Sequence, residues 1–181
     1  MEAKQLLLWR NLITILLGVA VFAAKTILPT PIDKTLTVFQ AFFLTIGALF
    51  SKPYGATKVA AVGAALTAVT RPQLAPLTAI FALLYGLLTD VLVNKLKVAS
   101  PDGRVEAGRA TAAASVSTSI TGVLSYYFSV HVLGVLPRAP ILEIAVLTAG
   151  IISGALGGYL ASVVWNKALK NFSGKVRCLS I

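Results

Sequence analysis

Apolar runs fall at residues 11–28, 35–50, 55–70, 74–94, 110–136 and 139–166, and proline or basic residues stand between them: Pro29 and Pro31, Lys52-Pro53, Arg71-Pro72, Pro101-Asp102-Gly103 and Pro137-Arg138-Ala139-Pro140. The cleanest is Leu74 to Asn94, 21 residues with no charge before Asp90. As a helix it is about 31 Å long, roughly the thickness of a bilayer's hydrocarbon core. The pattern predicts an all-α protein, an integral membrane bundle of six transmembrane helices forming a single domain over 1–181. The fifth run would be near 40 Å if wholly helical, so it is expected to tilt or to begin outside the lipid.

Composition agrees, with 57% apolar and 12% charged residues and a mean hydropathy of +0.86, far from the balance of a soluble domain. The net charge of +10 would suggest nucleic acid in a soluble chain. Here the cations lie between apolar runs, without a basic stripe interleaved with aromatics, so they read as topology and not as nucleic-acid contacts. Twelve of the sixteen Lys and Arg lie on the side of the N-terminus in a six-span arrangement, against Lys25, Lys34, Arg71 and Arg138 opposite. Both termini are therefore expected in the cytoplasm of a multi-pass cell-membrane protein. The first run lacks a small-residue cleavage site and reads as a retained span.

Lipid supplies no hydrophobic force between helices, so close packing is expected from small residues. Gly150, Gly154 and Gly158 form overlapping Gly-x-x-x-Gly steps on the sixth helix, Ala56, Ala60, Ala64 and Ala68 a stripe on the third, and Ala20 and Ala24 a step on the first. The first two read as internal packing; the third serves equally well as packing or as a partner surface.

A charge buried mid-membrane costs roughly 2.5–3.5 kcal/mol on insertion scales, so polar groups in spans have partners or ligands. They gather in the outer half: Gln40, Thr70, Arg71, Gln73, Thr78, Tyr126, Tyr127, Ser129, His131, Arg138 and Glu143. A hairpin at Pro137–Pro140 would set His131 and Glu143 at similar depth, where they could share a small ligand, bond to each other, or face water. With Asp33 the cluster carries both signs and does not fix the ligand's charge. Thr111, Ser115, Thr118, Ser119, Gly122 and Ser125 make a polar stripe on the fifth helix, read as interhelical hydrogen bonding or as a cavity wall. Asp90, near the cytoplasmic end, is expected to pair with Lys58 or Lys95, with proton coupling as the other reading.

Nucleotide, zinc-protease and serine-hydrolase motifs are all missing from the sequence, and no two acidic residues share a span as a metal or acid/base pair would need. The expectation is a non-enzyme with no cofactor and no metal. Cys178 rules out an internal disulfide; the prenylation-like Cys178-Leu179-Ser180-Ile181 and the sequon Asn171-Phe172-Ser173 read as chance.

Three stretches carry a family resemblance: Ala20-Val21-Phe22-Ala23-Ala24, the segment from Lys52-Pro53-Tyr54-Gly55-Ala56-Thr57-Lys58 through to Leu83-Leu84-Tyr85-Gly86-Leu87-Leu88, and Ser153-Gly154-Ala155-Leu156-Gly157-Gly158. With them the chain resembles the substrate-binding S component of energy-coupling factor (ECF) vitamin transporters, the last two stretches being similar to the thiamine or hydroxymethylpyrimidine subgroup. The resemblance implies capture of a vitamin or its precursor from the outer side, followed by association with a transmembrane coupling protein and a pair of cytoplasmic ATPases. It implies that Ala20 and Ala24 meet the coupling protein, and that ligand binds where Arg71, Gln73, Tyr126, His131, Arg138 and Glu143 fall by position. Trp9 and Trp165 both lie toward the cytoplasm, which leaves Tyr126 or Tyr127 as rings to stack on a ligand. Two other classes fit less of the pattern. A self-sufficient secondary carrier or channel needs polar groups through the midplane, and an assembly scaffold does not account for His131 and Glu143.

Overall fold

Proline and glycine set the element boundaries in the computed structural model, which describes residues 3–27, 37–70, 72, 75–134 and 137–170. Six helices alternate in direction: α1 (Ala3–Ile27), α2 (Thr37–Phe50), α3 (Gly55–Thr70), α4 (Ala75–Lys95), α5 (Ala107–His131) and α6 (Pro140–Val164). A π-helical turn, Trp165–Leu169, continues α6. Ala139 is extended (φ −134°, ψ 121°), as a residue before proline must be, and Pro140 opens α6 where its missing N–H costs nothing. The fifth helix starts earlier and stops earlier than its apolar run. It ends at His131, and the chain turns through Gly134 at φ +63°, so residues 132–134 do not extend it. The described residues contain no strand, only an isolated bridge between Ala99 and Val105.

α2 is buried on every side from Leu44 to Phe50, as expected of a helix apolar all round and encased by its neighbours. Small residues make that enclosure possible. A Cβ on Gly154 would stand 2.6 Å from the Ala114 carbonyl oxygen, and one on Gly157 would stand 2.6 Å from the Ala41 Cβ, so α6 wedges against α5 and α2 at once. On α3 the stripe Ala56, Ala60 and Ala64 is buried. The Gly-x-x-x-Gly and alanine patterns thus act in internal packing.

The exterior is apolar. α4 exposes Ile80, Leu83, Leu87 and Val91, α6 exposes Ile144, Leu147 and Ile151, and α1 exposes Leu12, Ile15, Leu16 and Val19. Two helices, Ala75–Lys95 and Pro140–Leu169, are long and apolar enough to cross a membrane, and only 33% and 22% of their apolar windows are buried. A helix serving as the core of a soluble protein would hide that face.

One end of the bundle carries the exposed Lys52, Lys58, Lys95, Lys97, Arg104 and Arg109, and is called the basic end below. Here the α2–α3 corner is secured by opposite charges. The Arg10 guanidinium donates from Nε and Nη2 to the Phe50 carbonyl at 3.0 and 2.9 Å, satisfying the C-terminus of α2. Asp90 accepts from the backbone N–H groups of Ala56 (3.0 Å) and Thr57 (2.8 Å) and from the Thr57 hydroxyl (2.7 Å), capping the N-terminus of α3. This corrects the expected ion pair: Asp90 is buried, whereas Lys58 and Lys95 are exposed. The donors at a helix start are fixed in place and carry the positive end of the dipole, so they satisfy a buried carboxylate without immobilising a lysine.

The segment between α4 and α5 folds back on the same end. Val98 and Val105 are buried, and the Asn166 side chain brackets Val105, donating to its carbonyl at 2.8 Å and accepting from its N–H at 2.9 Å. Beside it the Trp165 indole N–H donates to the Gly103 carbonyl at 3.2 Å, and its ring meets Phe50 edge-on at 5.0 Å.

Candidate functional site: a cavity among four helices

Toward the other end, α2, α4, α5 and α6 separate around a cavity of about 450 Å³, within the range of small-molecule sites. Gly122, Ala149 and Gly150 line it with little or no side chain, although α6 approaches α5 closely at Gly150, where a Cβ would stand 2.9 Å from the Ser119 Cα. Phe81 and Tyr85 enter from α4 one turn apart, and Phe81 is braced edge-on by Phe128 at 5.7 Å. Gln40 enters from α2, and Thr118, Thr121 and Ser125 from α5.

The floor is a hydrogen-bonded layer. The Thr118 hydroxyl donates to the Ala114 carbonyl at 2.7 Å, so the 2.6 Å contact between Tyr85 and Thr118 is a bond donated by the tyrosine. A threonine hydroxyl has a single proton to give. Just below, Thr89 donates to the Tyr85 carbonyl at 2.8 Å and reaches Ser117 Oγ at 3.3 Å. From there to the basic end the interior is filled, with Leu44, Val93 and Ala113 all buried. Gln40 has no hydrogen-bond partner among the described residues and also borders a small void of about 10 Å³ beside Ala60, Gly63 and Thr67.

Of the outer-half polar residues singled out from the sequence, the cavity wall takes Gln40 and Thr78. Tyr126 is buried beside the α5–α6 turn, where its hydroxyl donates to the Ala139 carbonyl at 3.2 Å, so it holds the hairpin closed. His131 is exposed and stacks on Tyr127, 5.8 Å between centroids at 6°. Glu143, in the first turn of α6, interacts with Tyr127. Among the described residues His131 and Glu143 make no salt bridge, and neither lines the cavity; Tyr127 stands between them. Arg138 is exposed in the turn. Arg71 and Gln73 lie outside the described residues. Ala20 and Ala24 are half-buried on α1.

The rings that line the cavity are Phe81 and Tyr85; neither Tyr126 nor Tyr127 does. Their signal was the spacing 77/78, 81/82, 85 on α4, one face in steps of three and four. The polar stripe on α5 divides in two. Thr118, Gly122 and Ser125 line the cavity, whereas the Ser115 hydroxyl crosses to the Ile151 carbonyl at 3.2 Å and serves packing.

Among the described residues no group of His, Cys, Asp and Glu could hold a metal ion. The cavity can enclose and orient a small molecule; among the described residues that line it, no nucleophile stands beside a base. No family model, curated protein or solved structure matches the chain.

Proposed function

We propose that this chain is the membrane-embedded substrate-capture subunit of an ATP-driven, ECF-type importer, taking up a vitamin or vitamin precursor. The six helices are spans, both termini are cytoplasmic, and the basic end faces the cytoplasm as the positive-inside rule requires. The lipid-facing helices α1, α4, α5 and α6 are 25, 21, 25 and 25 residues long, about 31 to 38 Å at the helical rise. α2 and α3 are shorter, 14 and 16 residues. α2 does not need a full span's length because its neighbours, not lipid, cover it.

The observation that carries this reading is a one-sided cavity. It occupies the half of the bundle away from the basic end and stops at the Tyr85–Thr118 layer, with packed side chains beyond. That arrangement fits capture from outside and is unlike a channel, whose polar lining would continue through. Release inward then requires the whole bundle to be reoriented. The sequence carries no nucleotide-binding motif, so the energy is supplied by partners, the transmembrane coupling protein and the ATPase pair.

The test is gentle purification in detergent from its own membranes, then identification of small molecules released on denaturation. The expected result is one vitamin-sized compound at near one per chain. An empty protein that also fails to bind any of a vitamin panel by calorimetry removes the capture reading. Orientation is checked separately, with Cys178→Ser carrying Lys97→Cys, which should react with an impermeant thiol reagent only in inside-out vesicles.

A further inference from the structure

The charge and hydrogen-bonding character of the substrate follow from three hydroxyls of the cavity whose protons are already committed. Thr118 gives its proton to the Ala114 carbonyl, Thr121 gives its proton to the Ser117 carbonyl at 2.9 Å, and Tyr85 gives its proton to Thr118. All three side chains line the cavity. Each has spent its only donor, and what remains toward the cavity is oxygen lone pairs. Gln40 differs, since its amide has both donor and acceptor free to read one edge of a ligand.

We infer that the cavity selects an uncharged, planar molecule that presents N–H or O–H donors to the Tyr85, Thr118 and Thr121 oxygens, packs its ring on Phe81, and has one edge read by Gln40. Carboxylates and phosphates are rejected. An anion would find committed hydroxyls at Tyr85, Thr118 and Thr121 and only the neutral donors of Gln40 and Ser125, and no Lys, Arg or His lines the cavity among the described residues. Removing its full charge from water without a cationic partner is strongly unfavourable. A full cation is disfavoured by the same count, because no carboxylate lines the cavity among those residues. Phosphorylation of the substrate after entry, a kinase-class reaction, would yield a product that the site no longer accepts. The inference rests on the capture reading above and narrows it.

The experiment equilibrates the purified full-length chain in nanodiscs with an equimolar mixture of three matched pairs: nicotinamide and nicotinate, pyridoxine and its 5′-phosphate, and hydroxymethylpyrimidine and its phosphate. The chain is then repurified, and mass spectrometry identifies these compounds and any molecule carried from the cell. The wild type should retain an uncharged, donor-bearing compound and none of the anions. Retention should fall at least tenfold in Tyr85→Phe and in Gln40→Leu, the second guarding against misfolding of the first. Retention of an anion, or unchanged retention in both folded variants, overturns the inference and leaves the capture reading standing. Retention of nothing from either source overturns both.

Discussion

The carboxylate of Asp90 on α4 holds the first turn of α3 through Thr57, bonding its backbone N–H at 2.8 Å and its hydroxyl at 2.7 Å. The approach depends on Gly86, one turn earlier, where a Cβ would fall 2.8 Å from both the Ala56 carbonyl oxygen and the Thr57 Cα. A charge buried in an apolar bundle is thereby made structural. Asp90→Ala should destabilise the protein by about 2–3 kcal/mol, since it removes a helix cap and leaves buried donors unpaired. Asp90→Asn should cost less, keeping one acceptor oxygen. Denaturation midpoints in detergent check this against Lys95→Ala, expected to be neutral. An equal loss in Lys95→Ala would restore the ion-pair reading.

Packing by small residues makes a second, sharper claim. Gly154→Ala places a Cβ 2.6 Å from both the Ala114 carbonyl oxygen and the Ser115 Cα, backbone atoms that cannot step aside, whereas Gly108→Ala meets nothing within 4 Å. The first should cost about 1–3 kcal/mol, the usual range for overpacking, and the second should stay close to wild type. Matching melting temperatures for the two would mean that α5 and α6 are not packed this closely.

At the basic end, Asn166 substitutes for a neighbouring strand by pairing both backbone groups of Val105. Asn166→Ala leaves that N–H and carbonyl without partners in a half-buried place. Hydrogen exchange at Val105 should accelerate by roughly tenfold or more, equivalent to about 1.4 kcal/mol of lost protection. Protection unchanged from wild type would show that Val98 and Trp165 suffice to hold the segment.

Much of this architecture was legible from spacing, because proline and glycine write helix boundaries and close approaches directly into the sequence. Ala56-x-x-x-Ala60 and Gly150-x-x-x-Gly154 could be read as contacts before their partners were known. Asp90 was harder: its partners are backbone N–H groups, which every residue has, so no residue type marked them. The site was harder still. A cavity is an absence of volume, bordered here by residues as plain as Gly122, Ala149 and Leu77, while polarity drew the eye to His131 and Glu143. Those two lie at a helix end and in a first turn, whereas Gln40 lines the interior cavity.

That contrast separates the site from the rim. Gln40→Leu should weaken substrate binding about tenfold, or 1.4 kcal/mol, by removing the free amide from a desolvated wall. His131→Ala and Glu143→Gln should change affinity less than twofold, because neither lines the cavity and both interact with Tyr127. Calorimetry with the compound released from the wild-type protein reads all three. A large loss in His131→Ala or Glu143→Gln with Gln40→Leu unaffected would move the site to the α5–α6 turn.

Ala20 and Ala24 test the assembly separately from capture. On α1 the buried Val21 faces α3, and Gly18 leaves room for Val62 there. At about 100° per residue, Ala20 and Ala24 lie on one side of Val21, at the margin of that seam, and both stay half-buried. A tryptophan at either position can turn outward, where Leu12, Ile15, Leu16 and Val19 already form an exposed apolar face. Ala20→Trp combined with Ala24→Trp should therefore leave substrate affinity and melting temperature near wild type, while abolishing uptake in cells that supply the coupling protein and ATPases. Loss of affinity in the double variant would assign the pair to packing within the bundle. Uptake that survives it would put the coupling surface on another helix.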